Sequence, residues 1–179
     1  MKQNLFKIAE LALPGVLLIE PRVCNDERGA TINPYSVKEF AENGIDTSFV
    51  QDLTSYSKKN VLRGLHFQHP PHEQTKLVRC SSGKIFDVVA DYNIQSPTFG
   101  QHISVTLKGE DQTSLYIPDS YAHGFCVLSE DAVVEYKLGS AYHQESVGGI
   151  RFDDPAFDIP WPIIDPIISE QDKEWPSLK

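Results

Sequence analysis

K-L-V-R-C-S-S-G-K-I-F-D-V-V-A-D-Y, residues 76–92, sets two apolar, β-rich runs on either side of a Ser-Ser-Gly centre. Such a pattern predicts strands over 76–80 and 84–92 joined by a hairpin turn at Ser81-Ser82-Gly83, with Gly83 supplying the positive φ of a tight reversal. In the second run Asp87 and Asp91 share the parity of Ile85 and Val89. Two carboxylates are therefore aimed at one sheet face, unless Asp91 only caps the strand end. Outward from this pair, short β-rich segments recur at 48–56, 61–68, 101–107, 114–117, 123–128 and 132–138, separated by turn residues. A spacing of roughly ten residues indicates an all-β sandwich or barrel and not alternating β and α units.

Towards the N-terminus, 16–20 reads as a strand and N-D-E-R-G (25–29) as a turn with Arg28 at its exit. Ser36 and Glu39 have capping-box spacing ahead of Phe40 and Gly44, which predicts one short helix. After Gly139 the periodicity fades, and from about 155 the prolines 155, 160, 162 and 166 make an extended covering tail anchored by Trp161 and Trp175. A single helical turn is expected at 169–175. No composition break divides the 179 residues, so one domain over 1–179 is expected.

The chain carries a net charge of -9, and 40% of it is hydrophobic, which argues against both a disordered chain and a general nucleic-acid partner. Cys24, Cys80 and Cys126 are odd in number and widely spaced, and read as buried thiols of a reducing cytoplasm. Glu10, Pro14 and Gly15 interrupt the apolar N-terminal stretch, so neither a signal peptide nor a membrane span is expected.

Chemistry concentrates in N-V-L-R-G-L-H-F-Q-H-P-P-H-E-Q-T-K-L-V-R (60–79), where His66, His69 and His72 lie among Arg63, Lys76, Arg79 and the preceding Lys59. Cations gathered beside histidines in an acidic protein suggest one local site for an anionic small molecule. Alternation puts His66 on a face with Leu62, Gly64 and Gln68, entering the interior, where it needs a partner. Strict pleating sends Arg63 to the opposite face; a bulge at Gly64 would bring the two together.

I-P-D-S-Y-A-H-G-F-C-V-L (117–128) has Pro118 and His123 at the spacing of the second cupin motif. The first cupin motif, an H-x-H pair, has no match: the histidines here fall at intervals of three, a spacing unsuited to octahedral or facial metal binding.

D-E-R-G (26–29), F-V-Q-D (49–52), V-L-R-G-L-H-F-Q (61–68), K-L-V-R (76–79), F-D-V (86–88), S-P-T-F-G (96–100), A-H-G-F (122–125) and Y-K (136–137) together resemble, in order, the dTDP-4-dehydrorhamnose 3,5-epimerases, a branch of the cupin superfamily. The resemblance implies a cupin jelly roll with one or a few short helices and an isomerase that uses neither metal nor cofactor. It implies a nucleotide-diphosphate-linked 4-keto-6-deoxy sugar as substrate, a homodimer in which N-terminal strands cross, and a place in deoxysugar synthesis for surface polysaccharide. On it, His66 is the base, Tyr136 the acid, Asp172 the carboxylate that orients the base, and Lys76 the cation at the enolate. Arg28, Gln51, Asp52, Arg63, His123 and Tyr142 become substrate contacts, Tyr142 by stacking on the nucleotide base.

Departures from the family pattern fall at Asn33, Leu53, Val147 and Gln171, which stand where Glu, Asn, Glu and Lys are common. They leave open a relative that inverts one carbon or takes another nucleotide, such as a cytidine-linked sugar. A metal-dependent cupin and a non-catalytic sugar-nucleotide binder are further alternatives. Retention of both His66 and Tyr136 weighs against the last, since binding alone needs neither acid nor base there.

Overall fold

A computed structural model describes residues 4–178. In chain order it contains β1 (Phe6–Glu10), β2 (Leu17–Pro21), β3 (Val23–Asp26), β4 (Gly29–Ile32), α1 (Val37–Glu42), β5 (Gln51–Lys58), β6 (Leu62–Gln68), β7 (Lys76–Ala90), β8 (His102–Lys108), β9 (Ser114–Ile117), β10 (Ala122–Leu138), β11 (Val147–Gly149) and α2 (Glu170–Glu174). The protein is all-β apart from these two short helices and one 3-10 turn at Gln144–Ser146.

The Ser-Ser-Gly centre is not a hairpin turn. Residues 76–90 form one continuous strand, and the two segments expected at 123–128 and 132–138 likewise form one strand, β10. β7 and β10 pair antiparallel along both their lengths and bend together at the predicted turn. Ile85 faces Val127 and Gly83 faces Ala132, so residues 128–131 of β10 bulge out of the ladder. The bulge is held by Lys84 N–H donating to Ser129 Oγ at 2.7 Å and Ser129 Oγ donating to Asp131 O at 2.5 Å. Gly83 has φ +80°, and a Cβ there would lie 2.2 Å from Asp131 O. Turn-forming residues are thus used to bend a long strand without reversing it.

That bend splits one nine-stranded sheet into two layers. In one layer, β9 pairs with residues 76–79 of β7, β5 with residues 131–138 of β10, and β1 and β2 extend the β9 edge. In the other, β8 pairs with residues 84–90 of β7, and β6 with its edge strand β11 follows β10. The facing surfaces enclose Leu13, Val16, Val78, Ile85, Val89, Leu115, Phe125 and Val127, all at most 1% exposed. This is the cupin jelly roll. Cutting one of these leucines back to alanine costs about 2–5 kcal/mol.

Each outer face has its own cover. α1 lays Phe40 against Phe6, Ile19 and Leu77 of the first layer, and Ser36 Oγ caps the helix by accepting from Glu39 N–H. The tail lays Ile150, Phe157 and Trp161 over Leu65, Phe67, Val88 and Ala122 of the second. α2 forms within the turn expected at 169–175, with Ser169 Oγ accepting from Asp172 N–H at 3.1 Å. β3 and β4 stand apart as a two-stranded ribbon around the D-E-R-G turn. Cys80 and Cys126 are buried thiols as expected, but Cys24 lies on that ribbon and is exposed. No helix among the described residues is long and apolar enough to cross a membrane.

Candidate active site

His66 does enter the interior. Its strand neighbours Leu65 and Phe67 pack outward under the tail, so alternation turns His66 and Gln68 inward. His66 and His123 are register partners, whereas Phe125 pairs with Arg63, so β6 carries one residue more than β10 across this interval. The extra residue is the bulge that brings Arg63 to the same cavity as His66. Gly64 permits it: φ is +127°, and a Cβ would sit 2.5 Å from Gly124 Cα.

The cavity, of about 550 Å³, is lined mainly by β5, β6 and β10. Arg63, His66, Lys76, His123, Tyr136 and Tyr142 line it, and among the described residues no carboxylate does. Two cations without a lining acid suit a ligand carrying phosphate.

His66 Nε2 is 2.6 Å from Asp172 Oδ1. Asp172, which is 3% exposed, also accepts Gly64 N–H at 3.2 Å and Trp175 Nε1–H at 3.1 Å. Burial pushes its pKa up, but the His66 bond and charge and the two further donors outweigh burial and hold it below the usual carboxylate range. The bond to Asp172 occupies Nε2 and leaves Nδ1 as the nitrogen free to take a proton. His66 itself stays open to the cavity, its side chain 37% exposed.

His123 is held differently. Its Nε2 donates to both oxygens of Asp87 at 2.9 Å, with the histidine 4% and the acid 0% exposed. Burial raises the Asp87 pKa against the pull of His123. Asp91 meanwhile accepts from Ser96 Oγ, Thr98 Oγ1 and Asn93 N–H, capping the strand end. The parity signal was right for Asp87, and Asp91 serves the turn.

Tyr136 stands over His123 edge to face, with ring centroids 5.9 Å apart. Burial, then the charge of Asp87, raises its pKa, and Arg63 offsets part of this, so the phenol stays protonated. Lys76, 7% exposed, has its pKa lowered to about 8 by burial, with Asp119 opposing the shift. Its ammonium donates to Gln74 O at 3.4 Å. Arg63 Nε donates to Ser57 Oγ at 3.0 Å.

Three residues named as contacts lie off the cavity wall. Arg28 is at the tip of the β3–β4 ribbon, 84% exposed and paired with Asp26 at 2.6 Å. Asp52 pairs with Lys137 at 2.9 Å on the outer face of β5. Gln51 spends its side-chain oxygen on Tyr142 N–H at 2.8 Å. Of the four departures, Leu53, Val147 and Gln171 line the cavity and Asn33 does not. Gln68 and Gln74 also line it. Alternation marks Gln68 only as a face-mate of His66, and Gln74, in the link before β7, carries no periodic signal.

Of the other histidines, His69 packs edge-on against Phe67, and His72 stacks on His143 at 3.9 Å. Among the described residues no three His, Cys, Asp or Glu side chains converge as metal ligands.

Comparison with known proteins gives the family and the fold. The profile of the dTDP-4-dehydrorhamnose 3,5-epimerase family matches residues 10–179. A dTDP-4-dehydrorhamnose 3,5-epimerase of Salmonella typhimurium is 46% identical over 173 residues, covering 96% of this chain and 94% of that one. The crystal structure of the Bacillus anthracis enzyme of that name, with TDP and PPi bound, superposes with a TM-score of 0.94 at 38% identity, covering 97% of this chain and 99% of the other. That of a dTDP-6-deoxy-D-glucose-3,5-epimerase from Legionella pneumophila, in complex with dTDP-4-keto-L-rhamnose, gives 0.92 at 40% identity, covering 97% and 93%.

Proposed function

The chain belongs to the dTDP-4-dehydrorhamnose 3,5-epimerase family, and from that premise we propose that it converts dTDP-4-dehydro-6-deoxy-D-glucose to dTDP-4-dehydro-L-rhamnose by proton transfer between His66, the sugar and Tyr136. The observation that carries the reading is the meeting of His66, backed by Asp172, with Lys76, Arg63 and Tyr136 in one cavity.

The ketone at carbon 4 acidifies the hydrogens on carbons 3 and 5. His66 Nδ1 takes one of them, and the Asp172 carboxylate stabilises the imidazolium that forms. The electron pair moves onto the carbon-4 oxygen, where the buried Lys76 ammonium faces the developing charge. Tyr136 then returns a proton to carbon. Its raised pKa makes it a reluctant acid in general, yet a carbanion is a much stronger base than a phenolate. Arg63 holds the diphosphate and Tyr142 stacks on the base. The enolate is held by Lys76 and hydrogen bonds, so we propose a reaction without metal or other cofactor; turnover that is lost on exhaustive chelation and restored by a stoichiometric metal would overturn this.

We further propose a homodimer with N-terminal strand exchange. It is supported by the β3–β4 ribbon, whose residues are exposed except for Ile32, and by Arg28 at its tip, turned away from the cavity of its own chain. Residues 1–179 act as one domain, since Asp172 of the tail and His66 of β6 share one hydrogen bond. Three unpaired thiols fit a reducing compartment, and the cytoplasm is the proposed location.

Incubation of the 4-keto sugar nucleotide in deuterated water tests the reaction. Deuterium should enter at carbons 3 and 5; entry at one carbon alone would make this a single-carbon epimerase, and none at either would end the reading. In Tyr136→Phe the base survives and the acid is gone, so exchange should outlast net inversion.

A further inference from the structure

Residues 140–143 lie between β10 and the 3-10 turn and belong to no strand. Their backbone is nonetheless held at every step by a glutamine side chain. Gln74 Nε2 donates to Ser140 O at 2.8 Å, and Gln68 Nε2 donates to Ala141 O at 3.3 Å. Gln51 Oε1 accepts Tyr142 N–H at 2.8 Å, and Gln68 Oε1 accepts His143 N–H at 2.8 Å. The three carboxamides come from the start of β5, the end of β6 and the link before β7. Gln68 also donates to His72 O at 2.6 Å, joining the 69–74 link to the same clamp.

Glutamine suits this work because one carboxamide offers both an acceptor and two donors, which a carboxylate does not. It is also uncharged, so it adds no negative charge beside a site for a diphosphate. Gln68 and Gln74 are 4% and 7% exposed, and removing either would leave loop carbonyls or N–H groups without their partners. What the clamp carries is Tyr142. The residue is 60% exposed, so close packing does not orient it; the backbone does.

We propose that Gln51, Gln68 and Gln74 are positioning residues that preset Tyr142 as the stacking wall for the nucleotide base. Gln51 acts on Tyr142 through its side-chain oxygen. The proposal rests on the reading of Tyr142 as the base platform, and it adds what holds that platform still before the ligand arrives.

A double-mutant cycle between Gln51 and Tyr142 tests it, with KM and kcat measured on dTDP-4-dehydro-6-deoxy-D-glucose and Kd measured on dTDP. Gln51→Leu should raise KM and the dTDP Kd about three- to tenfold, the worth of one neutral hydrogen bond, with kcat changed less than twofold. In a Tyr142→Ala background the same substitution should add nothing. An equal rise in both backgrounds would show Gln51 touching the ligand directly and overturn the proposal; so would no rise in the parent. If Tyr142→Ala alone leaves KM and Kd unchanged, the base-stacking reading fails, and this proposal with it. Gln74→Leu, acting two residues earlier in the loop, should give the same coupling, and keeps the test decisive should Gln51→Leu not fold.

Discussion

Two histidine–aspartate pairs face each other across β6 and β10, and they are built to opposite ends. His66 and His123 are register partners, each tied through Nε2 to a carboxylate. Asp87, behind His123, is fully buried, and burial raises its pKa. Asp172, behind His66, is nearly as buried but has two further donors, Gly64 N–H and Trp175 Nε1–H, and its pKa is lowered. A carboxylate kept ionised by extra donors can stabilise a new imidazolium. One whose ionised form is already disfavoured by burial is poorly suited to that, and serves to fix the ring it holds. The difference comes from where each acid originates: Asp87 sits within β7, whereas Asp172 is delivered by a capped turn of helix at the far end of the chain.

The sharpest break of this comparison is His66→Ala. It should abolish deuterium uptake at both carbons, since the other inward histidine, His123, is buried and held through Nε2 by both oxygens of Asp87. Full exchange in that variant would remove His66 from the mechanism. His123→Ala should weaken binding and leave measurable exchange.

Next come the acids. Asp172→Asn puts an amide where three donors converge, so one donor meets N–H and the imidazolium loses its counter-charge. The expected loss in kcat is about 10²- to 10⁴-fold, the range of a disabled general base. Asp87→Asn keeps an acceptor oxygen for His123 and removes an acid that burial already disfavours as an anion; kcat should fall less than about tenfold. Equal losses in the two variants would mean that the pairs do the same work.

Much of this arrangement could be read from residue patterns. Strand alternation turned His66 inward, the Ser36–Glu39 capping box located α1, and the mismatch between Arg63 and His66 called for a bulge at Gly64. What failed was Ser81-Ser82-Gly83. Turn chemistry marks a place where the backbone departs from a regular strand, and a hairpin and a bulge use the same residues. Whether the chain reverses depends on the partner strand, here the bulge at 128–131, which lies far along the sequence. The Gln51 bond was illegible for a similar reason: F-V-Q-D is local, and the partner, Tyr142 N–H, is 91 residues away.

The smallest expected effect is one on stability, at Lys76, where it is tied to function. Burial lowers its pKa from 10.5 to about 8, so below that pH the folded protein carries a charged, desolvated ammonium. As pH rises through about 8 the cation is lost from the folded state, and kcat/KM should fall, approaching tenfold per pH unit. Stability moves the other way. Between about 8 and 10.5 the unfolded chain binds more protons at this group than the folded one, so the contribution of Lys76 to unfolding free energy rises with pH. Lys76→Met should therefore be inactive yet more stable than the parent at pH 7, by up to about 3 kcal/mol, and that advantage should shrink between pH 8 and 10. Tm measured for both proteins across that range checks it: a constant gap would mean that the ammonium is not held at a cost, and its role at the enolate would need another physical basis.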